Sequence, residues 1–365
     1  MSTVVVGGAL ASKAGSGGEA WVRLSWIRGL QRLGLDTWFV EEAHDLAGLD
    51  YFTATCARFG LTDRASLLVG GEVVAGPDPV EVARDATLVN ISGNVASPDL
   101  LGSYRRRVYV DIDPGFTQVW HAQGLAGARV AGHDVHVTIA ENLGRPGCLV
   151  PAAGVEWHTV RQPVALDDWP VTPAPADFRF TTVSSWRPPF GPLEHDGRSY
   201  GLKVHEFRKV IELPRSVPVP MELALAIHPG DERDRSALLE HGWQLTDPAV
   251  AATPDGFRSY VQGSAAEFSV AQGVYVDMHT GWFSDRSVRY LASGRPVLVQ
   301  ETGFSDNLPT GLGLVPFRTL DDAARGAADI IARWDEHAVA ARQLAERYFD
   351  SDVVLARFCE QVGID

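Results

Sequence analysis

Residues 279–303 read HTGWFSDRSVRYLASGRPVLVQETG: a glycine turn, a Ser-Asp-Arg cluster opening a short helix, then an apolar strand ending on an acid. Such a unit can hold an anion. Gly281 permits close approach of a ligand to the backbone, and Ser284 offers a hydroxyl. The free N–H groups of the following helix add a partial positive charge worth about 0.3–1 kcal/mol near the surface. Arg286 can add a charge-assisted bond, with Asp285 as N-cap of the helix rather than a ligand. His279 joins the set through its spacing to Gly281 and Ser284. The alternative, left open, is that Ser284-Asp285 only caps a helix. A second group is acidic. VYVDIDPGFTQVW (108–120) places Asp111 and Asp113 at a strand end, with Pro114-Gly115 forcing a turn. Asp113, nearest the turn, is the expected general base toward a hydroxyl, and Asp111 reads alternatively as a buried anchor for the turn. Glu42, His121, His136 and Glu141 are the other base candidates. The first loop has no histidine and is excluded as a source of the base.

These groups need elements to hold them. The 365 residues suffice for two domains with a full core each. A hydrophobic share of 45% and a charged share of 21% are those of a soluble globular chain. The formal charge of −14 repels nucleic acid and anionic membranes, so an anionic ligand must meet a local concentration of cations. Three widely spaced cysteines indicate a reducing compartment without a disulfide framework. No secretory leader is expected, and no apolar run reaches membrane-spanning length. The expected location is the cytoplasm.

Strands are expected at Thr3–Val6, Thr37–Val40, Thr87–Ile91, Arg107–Ile112 and Val135–Ala140, with a helix from Glu19 to Leu33 stopped by Gly34. Between Asp167 and Asp177, DDWPVTPAPAD carries three prolines and reads as an interdomain linker. A second alternation follows, with strands at Phe178–Ser184, Met221–Ile227 and Pro296–Val299. Helices are expected near Val204–Leu213 and over Asp321–Trp334, Glu336–Tyr348 and Ser351–Val362. The organisation is therefore a first domain over 1–166, a linker over 167–177, a second domain over 178–345 and a closing helix over 346–365. Two α/β halves leave a cleft between them for a ligand.

GSGGEA (15–20) formally matches the dinucleotide fingerprint G-x-G-x-x-A, and Glu41 or Glu42 could pass for the ribose-binding acid. The context opposes that reading. The fingerprint turn leaves the first strand directly, whereas six residues (Ala9–Ala14) intervene here and enlarge the loop.

GSGGEAWVRLSWIRGLQRLGLDTWFVEE resembles the opening of GT-B-type glycosyltransferases. HTGWFS is similar to the His-x-Gly-x-x-Ser segment by which many of them hold donor phosphates, and ASGRPVLVQETGFSDNL to their Ala-x-Gly-x-Pro-Val strand and following acid. ARQLAERYFDSDVVLARFCEQV looks like their closing helices, which cross back to the first domain. The resemblance covers both halves, with 45–175 weak. It implies an α/β GT-B fold, two Rossmann-like parallel-sheet domains facing an interdomain cleft. It also implies transfer of a sugar from a nucleoside-diphosphate sugar to a hydroxyl-bearing small-molecule or natural-product acceptor. SSWRPPFGPLEHDGRSYGLKVHEF (184–207) is similar to the region in which an arginine and a lysine grip the diphosphate, and the matching residues are Arg187 and Lys203. Ser264 and Glu267 are candidates for phosphate and ribose. Glu301, Thr302, Gly303 and Asp306 are placed at the donor sugar. Gly17 and Gly18 are placed on the acceptor side.

The chain departs from the pattern in one respect. One large GT-B clan has two glutamates eight positions apart before that strand, and here those positions hold Gly281 and Arg289. Asp-Ile-Asp also fits the metal-binding acid pair of the GT-A fold, but that fold leaves the linker and the second half unexplained. No cofactor or metal is expected. The partners expected are donor and acceptor alone, without nucleic acid, and a homodimer is left open. Competing readings are a non-catalytic sugar-nucleotide binder, an epimerase on the same fold and an NAD- or FAD-dependent oxidoreductase.

Overall fold

The computed structural model describes residues 2–188 and 190–365. The first lobe is an eight-stranded sheet: β1 (Thr3–Gly7), β2 (Asp36–Ala43), β3 (Ala65–Val69), β4 (Glu72–Ala75), β5 (Thr87–Ile91), β6 (Arg106–Asp111), β7 (Val135–Thr138) and β8 (Trp157–Thr159). The order is β4-β3-β2-β1-β5-β6-β7-β8, and only β4 runs antiparallel to its neighbour. Central strands such as β1 and β5 are near-continuous apolar runs because helices cover both faces of a parallel sheet.

The second lobe is a six-stranded, all-parallel sheet. Its strands are β9 (Phe180–Ser185), β12 (Met221–Ala226), β13 (Gln244–Thr246), β14 (Ala266–Ser269), β15 (Val297–Gln300) and β16 (Leu314–Phe317), in the order β13-β12-β9-β14-β15-β16. A two-stranded hairpin, β10 (Leu193–His195) and β11 (Arg198–Tyr200), follows β9.

The helix Gly17–Arg32 follows β1 and is apolar around most of its circumference, with Trp21, Leu24, Trp26, Ile27 and Leu30 fully buried. A helix buried on all sides has packing partners all round, and this one has three. One face covers the first sheet. A second meets the closing helix Ser351–Val362, where a Cβ on Gly29 would come within 2.4 Å of Leu355 and 2.7 Å of Ser351. Trp26 packs edge-on against Phe358, and Arg32 makes paired 2.7 Å bonds to Asp352. A third face meets the second lobe. Trp21 donates to the Pro254 carbonyl at 2.8 Å, and Arg289 donates to Ser25 at 3.2 Å.

The linker is equally tied down. Trp169 is fully buried and packs edge-on against Trp21 and Phe257. Arg295 donates to Thr172 and to the Pro173 carbonyl, at 2.6 and 2.7 Å. The returning chain is pinned by Val164, whose backbone exchanges bonds with Phe349 and Ser351.

Gly17 belongs to the same interlobe seam. A Cβ there would lie 2.1 Å from the Thr253 carbonyl oxygen, which is backbone and has no room to yield. Gly17 is therefore a packing contact between lobes and does not face an acceptor. Gly17→Ala is expected to cost about 1–3 kcal/mol by overpacking, read as a lower midpoint in urea denaturation.

Candidate active site

A cleft of about 560 Å³ lies between the lobes. It is built from segments that follow β1, β5 and β6 on one side and β9, β12, β13 and β14 on the other. These are the carboxyl ends of parallel strands, where open α/β sheets bind ligands. Seven acidic or basic side chains line it. Lys13, Arg187, Lys203 and Arg286 stand against Glu19, Asp113 and Asp285, a cation-rich balance within a chain of charge −14.

The cations differ in how far they are already neutralised. Arg286 is fixed on the second-lobe wall by Glu267 at 2.6 Å, the Val183 carbonyl at 2.9 Å and Ser269 at 2.5 Å. Arg187 reaches Asp231 at 2.8 Å and Asp234 at 3.3 Å. The two lysines make no ion pair among the described residues. Lys203 donates to Ser184 Oγ at 2.9 Å. Removal of water by the surrounding protein, followed by repulsion from Arg286, pulls its ammonium down to about 7. Glu267, Asp285 and Asp113 act in the opposite direction. An anion in the cleft would restore the missing counter-charge.

On the first-lobe side, Asp113 is open to solvent through the cleft while protein encloses it on the remaining sides. That partial withdrawal of water, reinforced by Asp111 and Glu19, pushes its carboxyl up to about 6. Tyr275, reaching across from the second lobe, donates its hydroxyl to Asp113 Oδ1 at 3.0 Å. A carboxylate with a pKa near neutrality is suited to removing a proton.

Asp111 has a different fate. It accepts from the Asp113 N–H, Thr117, Gln118 and Thr138 at 2.6–3.0 Å and is fully buried. It is the anchor of the turn, and its lone pairs are occupied, so the Asp-Ile-Asp pair does not form a chelate. Glu42 accepts from Ala96 N and Ser97 N. Glu41 accepts from three successive backbone N–H groups, of Leu10, Ala11 and Ser12, at 2.6–2.7 Å. It shapes the first loop and is not available to a ribose. Glu141 is paired with Arg161, and neither His121 nor His136 lines the cleft. Glu19 is not among the expected site residues, because the expectation for the first loop rests on the absence of histidine. It lines the cleft, but Arg23 and Lys13 outweigh its burial and hold its carboxyl below the usual range, which makes it a poor base.

Of the other candidates, Gly18 lines the cleft against the Phe257 ring. Ser264 and Glu267 are fully buried and do not reach a ligand: Ser264 is spent on Thr181 and the Tyr260 carbonyl, Glu267 on Arg286. Ser284, not Asp285, is the N-cap, accepting from Arg286 N at 3.2 Å. Asp285 instead pairs with Arg289 at 2.6 Å and borders the cleft.

His279, Gly281, Glu301, Thr302, Gly303 and Asp306 are absent from the cleft lining. His279, Gly281, Gly303 and Asp306 gather around Asn142 of the first lobe, whose amide donates to the Gly303 carbonyl at 3.0 Å. His279 pairs with Asp306 at 2.7 Å. Glu301 accepts from Gly303 N at 2.7 Å, and Thr302 donates to the Trp282 carbonyl at 2.5 Å. A Cβ on Gly281 would lie 2.9 Å from the Asn142 nitrogen. The physical reason is interlobe contact: the turn that was expected to approach phosphate approaches Asn142.

Two parallel-sheet lobes facing a cleft at their carboxyl ends, with a helix returning to the first lobe, constitute the GT-B fold of glycosyltransferases. No protein-family model matches the chain, nor does any curated protein. Among solved structures it is similar to Anabaena HepE in complex with UDP and glucose, with a TM-score of 0.64 at 11% identity, over 100% of this chain and 99% of that one. It is also similar to an alpha-glucosyltransferase in complex with UDP (TM-score 0.63, 8% identity, 100% of both chains). A third similar structure is the pneumococcal O-GlcNAc transferase GtfA with UDP and GlcNAc (TM-score 0.57, 10% identity, 99% and 98%). No helix among the described residues is long and apolar enough to cross a membrane.

Proposed function

We propose that this protein transfers a hexosyl group from a nucleoside-diphosphate sugar to a hydroxyl of a small-molecule acceptor of the natural-product kind. The observation that carries the reading is the division of charge in the cleft. Lys203, Arg187 and Arg286 stand on the second-lobe wall, and Asp113, poised near neutrality, stands on the first. The diphosphate lies against the cations and the acceptor hydroxyl against Asp113. As the hydroxyl oxygen bonds to the anomeric carbon, its proton passes to the Asp113 carboxylate. The bond from that carbon to the diphosphate oxygen breaks, and the departing charge is met by Lys203 and Arg286, fixed donors that need no reorganisation. Side-chain cations fill the role of a divalent metal, so turnover is expected to persist in EDTA.

A thermal-shift panel with UDP, TDP, GDP, NAD and FAD tests the donor half. A nucleoside diphosphate at about 100 times its dissociation constant should stabilise the fold by about 2.7 kcal/mol. A response to NAD or FAD alone would overturn the proposal.

The pH profile of kcat/KM tests the division of labour. Asp113 must be ionised to accept a proton, so activity should rise through about pH 6. Lys203 must be protonated to hold the diphosphate, so activity should fall above about pH 7. Lys203→Arg should remove the falling limb and leave the rising one, because a guanidinium stays charged.

A further inference from the structure

We infer that the acceptor subsite is built for a planar aromatic alcohol, a phenol or fused-ring hydroxyarene, rather than for a sugar; this rests on the sugar-transfer reading above. A continuous aromatic wall leads away from Asp113. Tyr275, which donates to Asp113, lies 6.1 Å from Phe116 in near-perpendicular contact. Phe116 lies 5.5 Å from Trp120 on the next turn of the helix Phe116–Ala122. Phe190, reaching across from the second lobe, packs on both, at 4.9 Å from Phe116 and 5.3 Å from Trp120. Phe116, Trp120 and Phe190 all line the cleft, and Phe190 is 37% exposed.

The first-lobe lining also includes the small residues Ser92, Gly127 and Ala128, and a Cβ built on Gly127 meets nothing within 4 Å. Aromatic pairs in offset or edge contact add about 0.5–1.5 kcal/mol beyond area burial, which a planar ring set against Trp120 and Phe190 would gain.

The polar inventory separates a phenol from a sugar. A sugar acceptor presents several hydroxyls, each of which needs a partner once desolvated. Here the Thr117 hydroxyl is already given to Asp111 at 2.7 Å, and the Tyr109 hydroxyl to the Ala128 carbonyl at 2.8 Å. Ser16 and Ser92 are the two first-lobe hydroxyls on the cleft lining that make no side-chain hydrogen bond among the described residues. One suitable base beside an aromatic wall with few free hydroxyls matches a ligand with one reacting hydroxyl and an apolar body.

The test is titration of the purified protein with 7-hydroxycoumarin, followed by its fluorescence, with glucose and maltose as competitors. UDP thermal shifts are recorded on the same samples. Saturable coumarin binding that neither sugar displaces is expected. Trp120→Ala and the solvent-facing Phe190→Ala should each weaken it at least tenfold, with the UDP response retained. Displacement by glucose or maltose, or unchanged affinity in both variants, would overturn the inference. If UDP fails to bind while coumarin binds and both variants weaken it, the aromatic subsite stands and the donor reading falls.

Discussion

Asp113→Asn is expected to lower turnover by about 10²–10⁴-fold, the range for loss of a general base, while the UDP-induced thermal shift persists. The substitution keeps the size of the side chain and an oxygen able to accept from Tyr275, so the interlobe contact at Asp113 survives. It removes the cleft carboxylate whose pKa lies near 6 and whose Oδ2 makes no hydrogen bond among the described residues. Release of UDP from a nucleotide sugar, measured with saturating acceptor, is the readout. Full activity in the variant would move the base to another group, with Glu19 the remaining first-lobe carboxylate in the cleft. The comparison with Asp111→Asn is informative. Asp111 accepts four hydrogen bonds and is fully buried, so that change should appear in stability before it appears in chemistry.

Arg286→Ala is expected to cost about 3–5 kcal/mol of stability, the penalty for breaking a buried pair from one side, and to abolish the nucleotide response. Glu267 is fully buried and depends on Arg286 for its charge compensation. Burial already raises the carboxyl, with Arg286 opposing that shift. Without the guanidinium, the folded-state pKa rises further above the unfolded value. Stability is then retained at pH values below the unfolded pKa and lost as pH rises through the folded one. The deficit measured in urea should accordingly shrink on acidification. Glu267→Gln in the Arg286→Ala background should recover part of the stability and none of the nucleotide binding, which separates Arg286's structural role from its role toward phosphate.

How much of this was legible in the sequence depended on whether a residue's partner is local. β1, β5 and the helix Ser351–Val362 are read correctly from apolar runs and spacing, because covering both faces of a strand leaves a mark along the chain itself. Short or polar strands were missed. β13 is Gln-Leu-Thr and β14 is Ala-Glu-Phe-Ser, and their strand character comes from pairing with distant segments. The same limit governs the site. Asp113, Arg187, Lys203, Arg286 and Gly18 do meet in the cleft. Ser264 and Glu267 resemble ligand-facing residues only while their internal partners, Thr181 and Arg286, are unseen.

In the His279–Asp306 group the imidazole and the carboxylate pair with each other, and Asn142, more than 130 positions earlier, donates to the His279 and Gly303 carbonyls and to Asp306. The sequence carries one further signal. Only three lysines stand among 32 basic residues, and two of them, Lys13 and Lys203, are the cleft cations without an ion pair among the described residues.

The return of Ser351–Val362 onto the Gly17–Arg32 helix has a consequence for biosynthesis. During translation the first-lobe sheet emerges early, but Leu30, Trp26 and the flank around Gly29 have nothing to cover them until the segment carrying Leu355 and Phe358 leaves the ribosome. The second lobe, whose own cluster around Phe207, Trp243 and Phe268 draws only on residues between 178 and 334, can consolidate before then. Nascent chains stalled ahead of residue 351 should therefore resist protease in their later half and remain cleavable within the earlier one.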